Sequence, residues 1–219
     1  EEAYQLMMRY GSPTIPSIQS PVNSLARAKA GGYLTMGELL SIATVLRAVR
    51  SLSQWKEHSA GASGRLDGYF DSLSPNKYLE EKITSAIVSE DEMSDFASPE
   101  LANIRRKIKS AQAKARTQLE KLVHSATQAK YLQDQIITMR DSRFVVPVKA
   151  EYRSEIKGLV HDTSASGATV FIEPMAVVEA NNEIRVLTPH EKPEIDPILQ
   201  ELSGEAGSYA DGICEDYRT

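Results

Sequence analysis

The sequence has a single cysteine, Cys214, among its 219 residues. No internal disulfide can form, and the chain fits a reducing compartment such as the cytoplasm. Aromatics are scarce at 6%. The core must rest on Leu, Ile, Val and Ala, which suits helical packing better than an all-β sandwich. No run approaches the ~18 apolar residues of a membrane span, and no signal-peptide pattern opens the chain, so no membrane contact is expected. No GxxxxGK[ST] phosphate loop occurs, and the glycines between 59 and 65 do not substitute for one. The chain should therefore bind no nucleotide itself. What remains is 41% hydrophobic and 25% charged, an ordinary globular composition.

Both ends read as if cut. Ala3, Leu6, Met7 and Tyr10 already follow a helical spacing, and Ile213 and Tyr217 are still in helical register near Thr219. A fragment of a longer protein is the expectation.

Between these ends the pattern predicts a mainly α chain. A helical core segment takes 1–98. Residues 11–21 are a proline-rich loop, and 22–34 are a short helix stopped by Gly31 and Gly32. A helix over 35–55 has Thr35 as cap and Glu38 completing a capping box. Residues 59–64 are a turn. Two short helices cover 65–73 and 75–88, the second with Ser74 as cap and Pro75 at its first position. Residues 89–98 are an acidic loop. Ser98-Pro99-Glu100 then starts a long helix. Its seam of Leu101, Ile104, Ile108, Ala111 and Ala115 slips once and resumes at Leu119, Leu122, Ala126 and Ala129, so a first lever helix is assigned to 99–135. The period changes after Met139. Residues 136–152 read as a hairpin around Asp141-Ser142, and 156–162 and 167–173 as two further strands. A small antiparallel sheet, 136–173, is thus inserted before a returning lever helix, 174–219. Pro189, Pro193 and Pro197 interrupt that return, so it either stops near Leu187 and restarts near Glu194 or is kinked.

Charge is unevenly spread. Residues 101–160 carry 13 Lys and Arg against 5 Asp and Glu, whereas 173–219 carry 3 against 11. A basic helix lying on an acidic one explains much of this through exposed ion pairs of about 0.2–1 kcal/mol each. It does not cover Arg140, Arg143, Lys149, Arg153 and Lys157, which fall on or between the strands. These five are the candidate nucleic-acid contacts. The alternative is a solvated sheet edge protected by its charges.

The stretch GLVHDTSASGATVFIEP, 158–174, holds residue types used in catalysis. Hydrolysis would need a nucleophile, a base and an orienting group at one point. Strand alternation puts His161 and Asp162 on opposite faces, Ser164 and Ser166 fall in a turn, and no GxSxG elbow occurs. A sheet with a polar turn is expected, with phosphate contact at that turn the alternative. His161 has no nearby Cys or second His to complete a metal set and is expected to be structural. Glu173-Pro174 marks a strand-to-helix junction. No catalytic centre, cofactor or metal site is expected.

The segments RFVVPVKAEYR, GLVHDTSASGATVFIEP and VVEANNEIR occur in that order within 131–185, and together they closely resemble the MutS-two branch of the bacterial MutS proteins. AKAGGYLTMGELLSIATVLRAVR and ASPELANIRRKI extend the resemblance more weakly. It implies the core, lever and clamp of a longer, homodimeric, cytoplasmic protein. It also implies a separate ATPase using ATP and magnesium and a terminal Smr-type endonuclease domain. The implied partners are branched or duplex DNA and ribosomal RNA, and the implied roles are suppression of homologous recombination and action on stalled ribosomes. A lever that only transmits motion is the competing implication.

Overall fold

The computed structural model describes residues 2–59 and 64–219. It is mainly α-helical, with a small antiparallel sheet inserted between helices. The turn expected over 59–64 lies largely outside the described residues. Among those described, no helix is long and apolar enough to cross a membrane. The chain divides into two compact units, Glu1–Pro99 with Glu194–Thr219, and Glu100–Pro193.

The first unit contains α1 (Glu2–Tyr10), α2 (Val22–Lys29), α3 (Met36–His58), α4 (Asp67–Ser72) and α5 (Lys77–Ala86). Helix α3 is its axis. Thr35 accepts from the Glu38 N–H and Glu38 accepts from the Thr35 N–H, which satisfies two orphan donors at the helix start. Leu39, Ile42, Leu46 and Val49 are buried, and α5 packs on α3. The cap of α5 is Asn76, which accepts from the Leu79 N–H, and not Ser74. The Ser74 N–H is instead held by Asp216. The acidic stretch expected as loop opens with a short hairpin, β1 (Ile87–Ser89) and β2 (Glu92–Met93), on which Ile87 and Met93 are buried.

The second unit is built on α6 (Pro99–Val123), a helix about 37 Å long at 1.5 Å per residue. Its buried seam is Leu101, Ile104, Ile108, Ala111, Ala115, Leu119 and Val123. The helix stops there, and Ala126, expected to continue the seam, is exposed. Ser125 and Thr127 bond each other at 3.0 Å, and the Gln128 and Ala129 N–H groups turn back to the Ser125 carbonyl. Short hydroxylated residues compete in this way with helix hydrogen bonding. A 3-10 turn, Ala129–Tyr131, leads into the sheet.

The sheet comprises β3 (Thr138–Arg140), β4 (Arg143–Lys149), β5 (Gly158–Thr163) and β6 (Thr169–Pro174), in the order β3-β4-β6-β5 and antiparallel throughout. Asp141 and Ser142, at φ 49° and 61°, make the tight turn between β3 and β4 that strand twist favours. Val146, Val148, Val170 and Ile172 pack against Ala115, Leu119 and Val123 of α6. A 3-10 stretch, Ala150–Glu155, links β4 to β5.

After β6 the chain is helical from Met175 to Ser208, through α7 (Val178–Leu187) and α8 (Glu191–Ser208). Ile184 packs with Ile104 and Ile108, while Val177 packs with Ala115 and Leu119, so α7 runs antiparallel to α6. The three prolines do not open a gap. The helix tightens to 3-10 geometry over Thr188–His190, where Pro189 sits, and resumes at Glu191 rather than Glu194. Pro193 falls in the first turn of α8, where N–H groups lack helical partners, and only Pro197 is interior. In the first unit Leu199 and Leu202 of α8 are buried, and α9 (Ala210–Arg218) packs on α2 and α3.

Candidate nucleic-acid interface

The five candidate cations do not form one cluster. Strand β4 rises about 3.3 Å per residue, so Arg143 and Lys149 at its two ends stand about 20 Å apart.

At the Arg143 end the cations are committed internally. Glu173 is wholly buried. Its carboxylate accepts from Arg143 Nη1 at 2.7 Å and Asn181 Nδ2 at 2.8 Å, and lies 2.5 Å from His161 Nε2. Arg143, only 9% exposed, also donates to Asn182 Oδ1 at 2.7 Å. A buried carboxylate is tolerable only when paired and hydrogen-bonded in this way. Arg143, a candidate nucleic-acid contact from sequence, therefore belongs to the interior. Arg140 donates to Asp162 at 3.0 Å and lies 3.9 Å from the centroid of the Phe171 ring.

The register explains why Asn181 is there. Val146 faces Ile172, so Phe144 would face Pro174. Proline has no N–H to give. The Asn181 side chain fills that place, accepting from the Phe144 N–H and donating to its carbonyl, both at 3.1 Å.

Strand alternation fails at His161. A β-bulge lies between Val160 and Asp162, so β5 gains one residue against β6. His161 reaches Glu173, and Asp162 reaches the arginine stacked on Phe171. Phe171 and Glu173 share one face of β6, so His161 and Asp162 share it too, contrary to simple alternation. They hold different partners and converge on no reacting point. The serines close the turn: Ser164 Oγ accepts from the Thr169 N–H and Ser166 Oγ from the Ala168 N–H, with Gly167 at φ 73°. Among the described residues no three His, Cys, Asp or Glu side chains are grouped to hold a metal ion.

At the Lys149 end the cations face outward. Lys149 Nζ donates to the Lys130 carbonyl at 3.2 Å. Arg153 and Lys157 are exposed, as are Lys121 and Lys130, which lie outside the five expected from sequence. Among the described residues none of Lys121, Lys130, Lys149, Arg153 and Lys157 makes an ion pair. Lys121 and Lys157 line an open groove of about 590 Å³ together with Gln118, Gln128 and Glu155. The unit that carries them has 15 Lys and Arg against 11 Asp and Glu.

The expected neutralisation of the basic helix is seen at one of its arginines. Arg105 of α6 pairs with Glu191 at 3.0 Å. Farther along, Glu201 and Glu205 both pair with Lys82, and Asp211 pairs with Lys29, all within the first unit.

No protein-family model matches the chain. Among curated proteins it is similar to an endonuclease MutS2 of Acetivibrio thermocellus, 46% identical over 215 residues, which are 97% of this chain and 27% of that protein. It is also similar to an endonuclease MutS2 of Ruminiclostridium cellulolyticum, 48% identical over 205 residues, 91% of this chain and 26% of the relative. One from Clostridioides difficile is 42% identical over 219 residues, with 97% and 27% covered. The chain spans about a quarter of the length of the curated relatives it matches.

Proposed function

Since the chain belongs to the MutS2 family along the segment it spans, we propose that it is the lever and clamp with which a MutS-like ATPase embraces nucleic acid. The ligands on this reading are branched or duplex DNA and structured ribosomal RNA, and the roles are suppression of homologous recombination and action on stalled ribosomes. The whole protein would use ATP and magnesium, work as a cytoplasmic homodimer, and carry an Smr-type endonuclease domain. The observation that supports binding by this segment is the outward-facing set Lys121, Lys130, Lys149, Arg153 and Lys157, free of ion pairs among the described residues. Cations placed this way exchange counterions with a phosphate backbone, which makes binding salt-dependent.

A plain lever is the second reading. It is favoured by Arg140 and Arg143, whose charges are spent on Asp162 and Glu173. Titration of the chain with a four-way DNA junction and a structured RNA at several salt concentrations separates the two. Salt-dependent affinity supports the clamp, and no binding up to ~10 µM supports the lever.

A further inference from the structure

Two tyrosines in the second unit lie outside its α-helices and strands. Tyr131 ends the 3-10 turn Ala129–Tyr131, and Tyr152 lies within the 3-10 stretch Ala150–Glu155. Folding brings them together, with ring centroids 5.3 Å apart and planes inclined at 48°. Tyr131 is anchored against the sheet core, whereas Tyr152 keeps 37% of its surface exposed. Cations surround the pair. The Lys130 ammonium is 4.9 Å from the Tyr131 centroid and that of Lys149 is 5.9 Å from the Tyr152 centroid. The Lys149-to-Lys130 carbonyl bond, 3.2 Å, ties the two segments, and exposed Arg153 follows Tyr152 in the chain.

A part-exposed ring pair with one ammonium over each ring, and an exposed arginine next in the chain, offers two kinds of attachment at once. The π face takes a nucleobase, and the ammonium and guanidinium groups take the phosphates on either side of it. A duplex keeps its base faces inside the stack, so a surface ring cannot reach them. An unpaired nucleotide presents its face freely. We infer that Tyr131 and Tyr152 form a stacking platform for an unpaired nucleotide, its flanking phosphates held by Lys130, Lys149 and Arg153. The inference rests on the clamp reading and sharpens it. Branched DNA and folded RNA share unpaired nucleotides at their junctions and loops, so the common ligand is a single strand, deoxy or ribo.

The test uses the full chain with oligo-dT, oligo-rU and a blunt duplex of equal length. Tyr152→Ala should weaken single-strand binding about tenfold and leave duplex binding within about twofold. Tyr152→Phe should restore it, and Tyr152→Leu, which keeps bulk without a π face, should not. If Tyr152→Ala leaves both single-strand affinities unchanged, or Tyr152→Leu restores them, the platform is refuted. The clamp reading survives that result provided Lys149→Glu with Arg153→Glu still weakens binding. If none of the three probes binds the unaltered chain, the platform is refuted, and the clamp reading is decided by the four-way junction and the structured RNA.

Discussion

Glu173 is the residue on which the end of the sheet depends. Three motifs separated in sequence send Arg143, His161 and Asn181 to one buried carboxylate. Replacing it by Ala strands a nearly buried guanidinium, which costs about 3–5 kcal/mol. Denaturant unfolding of Glu173→Ala should show that loss. The double change Arg143→Met with Glu173→Leu should recover most of it, since no unpaired charge remains. At the other end of the chain, burial pushes the Glu38 carboxyl up, but hydrogen bonds from the Thr35 N–H, Arg27, Ser24 and the Thr35 hydroxyl outweigh it and hold it at about 2. A depressed carboxylate stabilises the fold above its unfolded value, ~4.3, and loses that contribution as pH falls toward 2. Glu38→Gln should therefore destabilise the chain at neutral pH and make little difference near pH 2, as melting curves across that range would reveal.

At the scale of elements, α6 and the ladder around Phe144 carry the second unit. Ile104 is buried against Ile184, so Ile104→Asp places an unpaired charge in the seam and should lower stability by several kcal/mol. An unchanged melting midpoint would mean the seam is wet. Asn181→Leu orphans both backbone groups of Phe144, at about 1–3 kcal/mol each, and hydrogen exchange at the Phe144 amide should accelerate. Much of this architecture was legible in the sequence because it is periodic or local. The α6 seam, the Thr35 capping box, the Asp141-Ser142 turn and the four strands each follow from spacing or turn chemistry within a few residues. The misses at the candidate site are non-local, whereas the early end of α6, the Asn76 cap and the β1–β2 hairpin are local ones. The bulge at His161 follows from pairing with β6, the withdrawal of Arg143 into the interior from Glu173 thirty positions away, and the Tyr131–Tyr152 pair from folding across the sheet. Lys130-Tyr131 and Tyr152-Arg153 did offer a local signal, an aromatic beside a cation in each case. Such a dipeptide is a weak signal until folding brings two of them together.

For the whole molecule the decisive feature is the contrast in charge. The chain is −5 overall, yet the second unit is +4, with 15 basic residues against 11 acidic, and its Lys121, Lys130, Lys149, Arg153 and Lys157 make no ion pair among the described residues. An acidic protein with one basic, sheet-bearing unit suits a polyanion partner confined to that unit. The most direct measurement is the salt dependence of binding to a four-way DNA junction and a structured RNA, for the unaltered chain and for a variant carrying Lys149→Glu, Arg153→Glu and Lys157→Glu, with circular dichroism confirming the fold. Arg143 is left alone, because its reversal would test the Glu173 network instead. The expected result is weaker binding by the variant and a log–log salt slope flatter by about 0.9 for each duplex phosphate the variant no longer neutralises. Unchanged affinity and slope in a well-folded variant would contradict the clamp and leave the segment a lever.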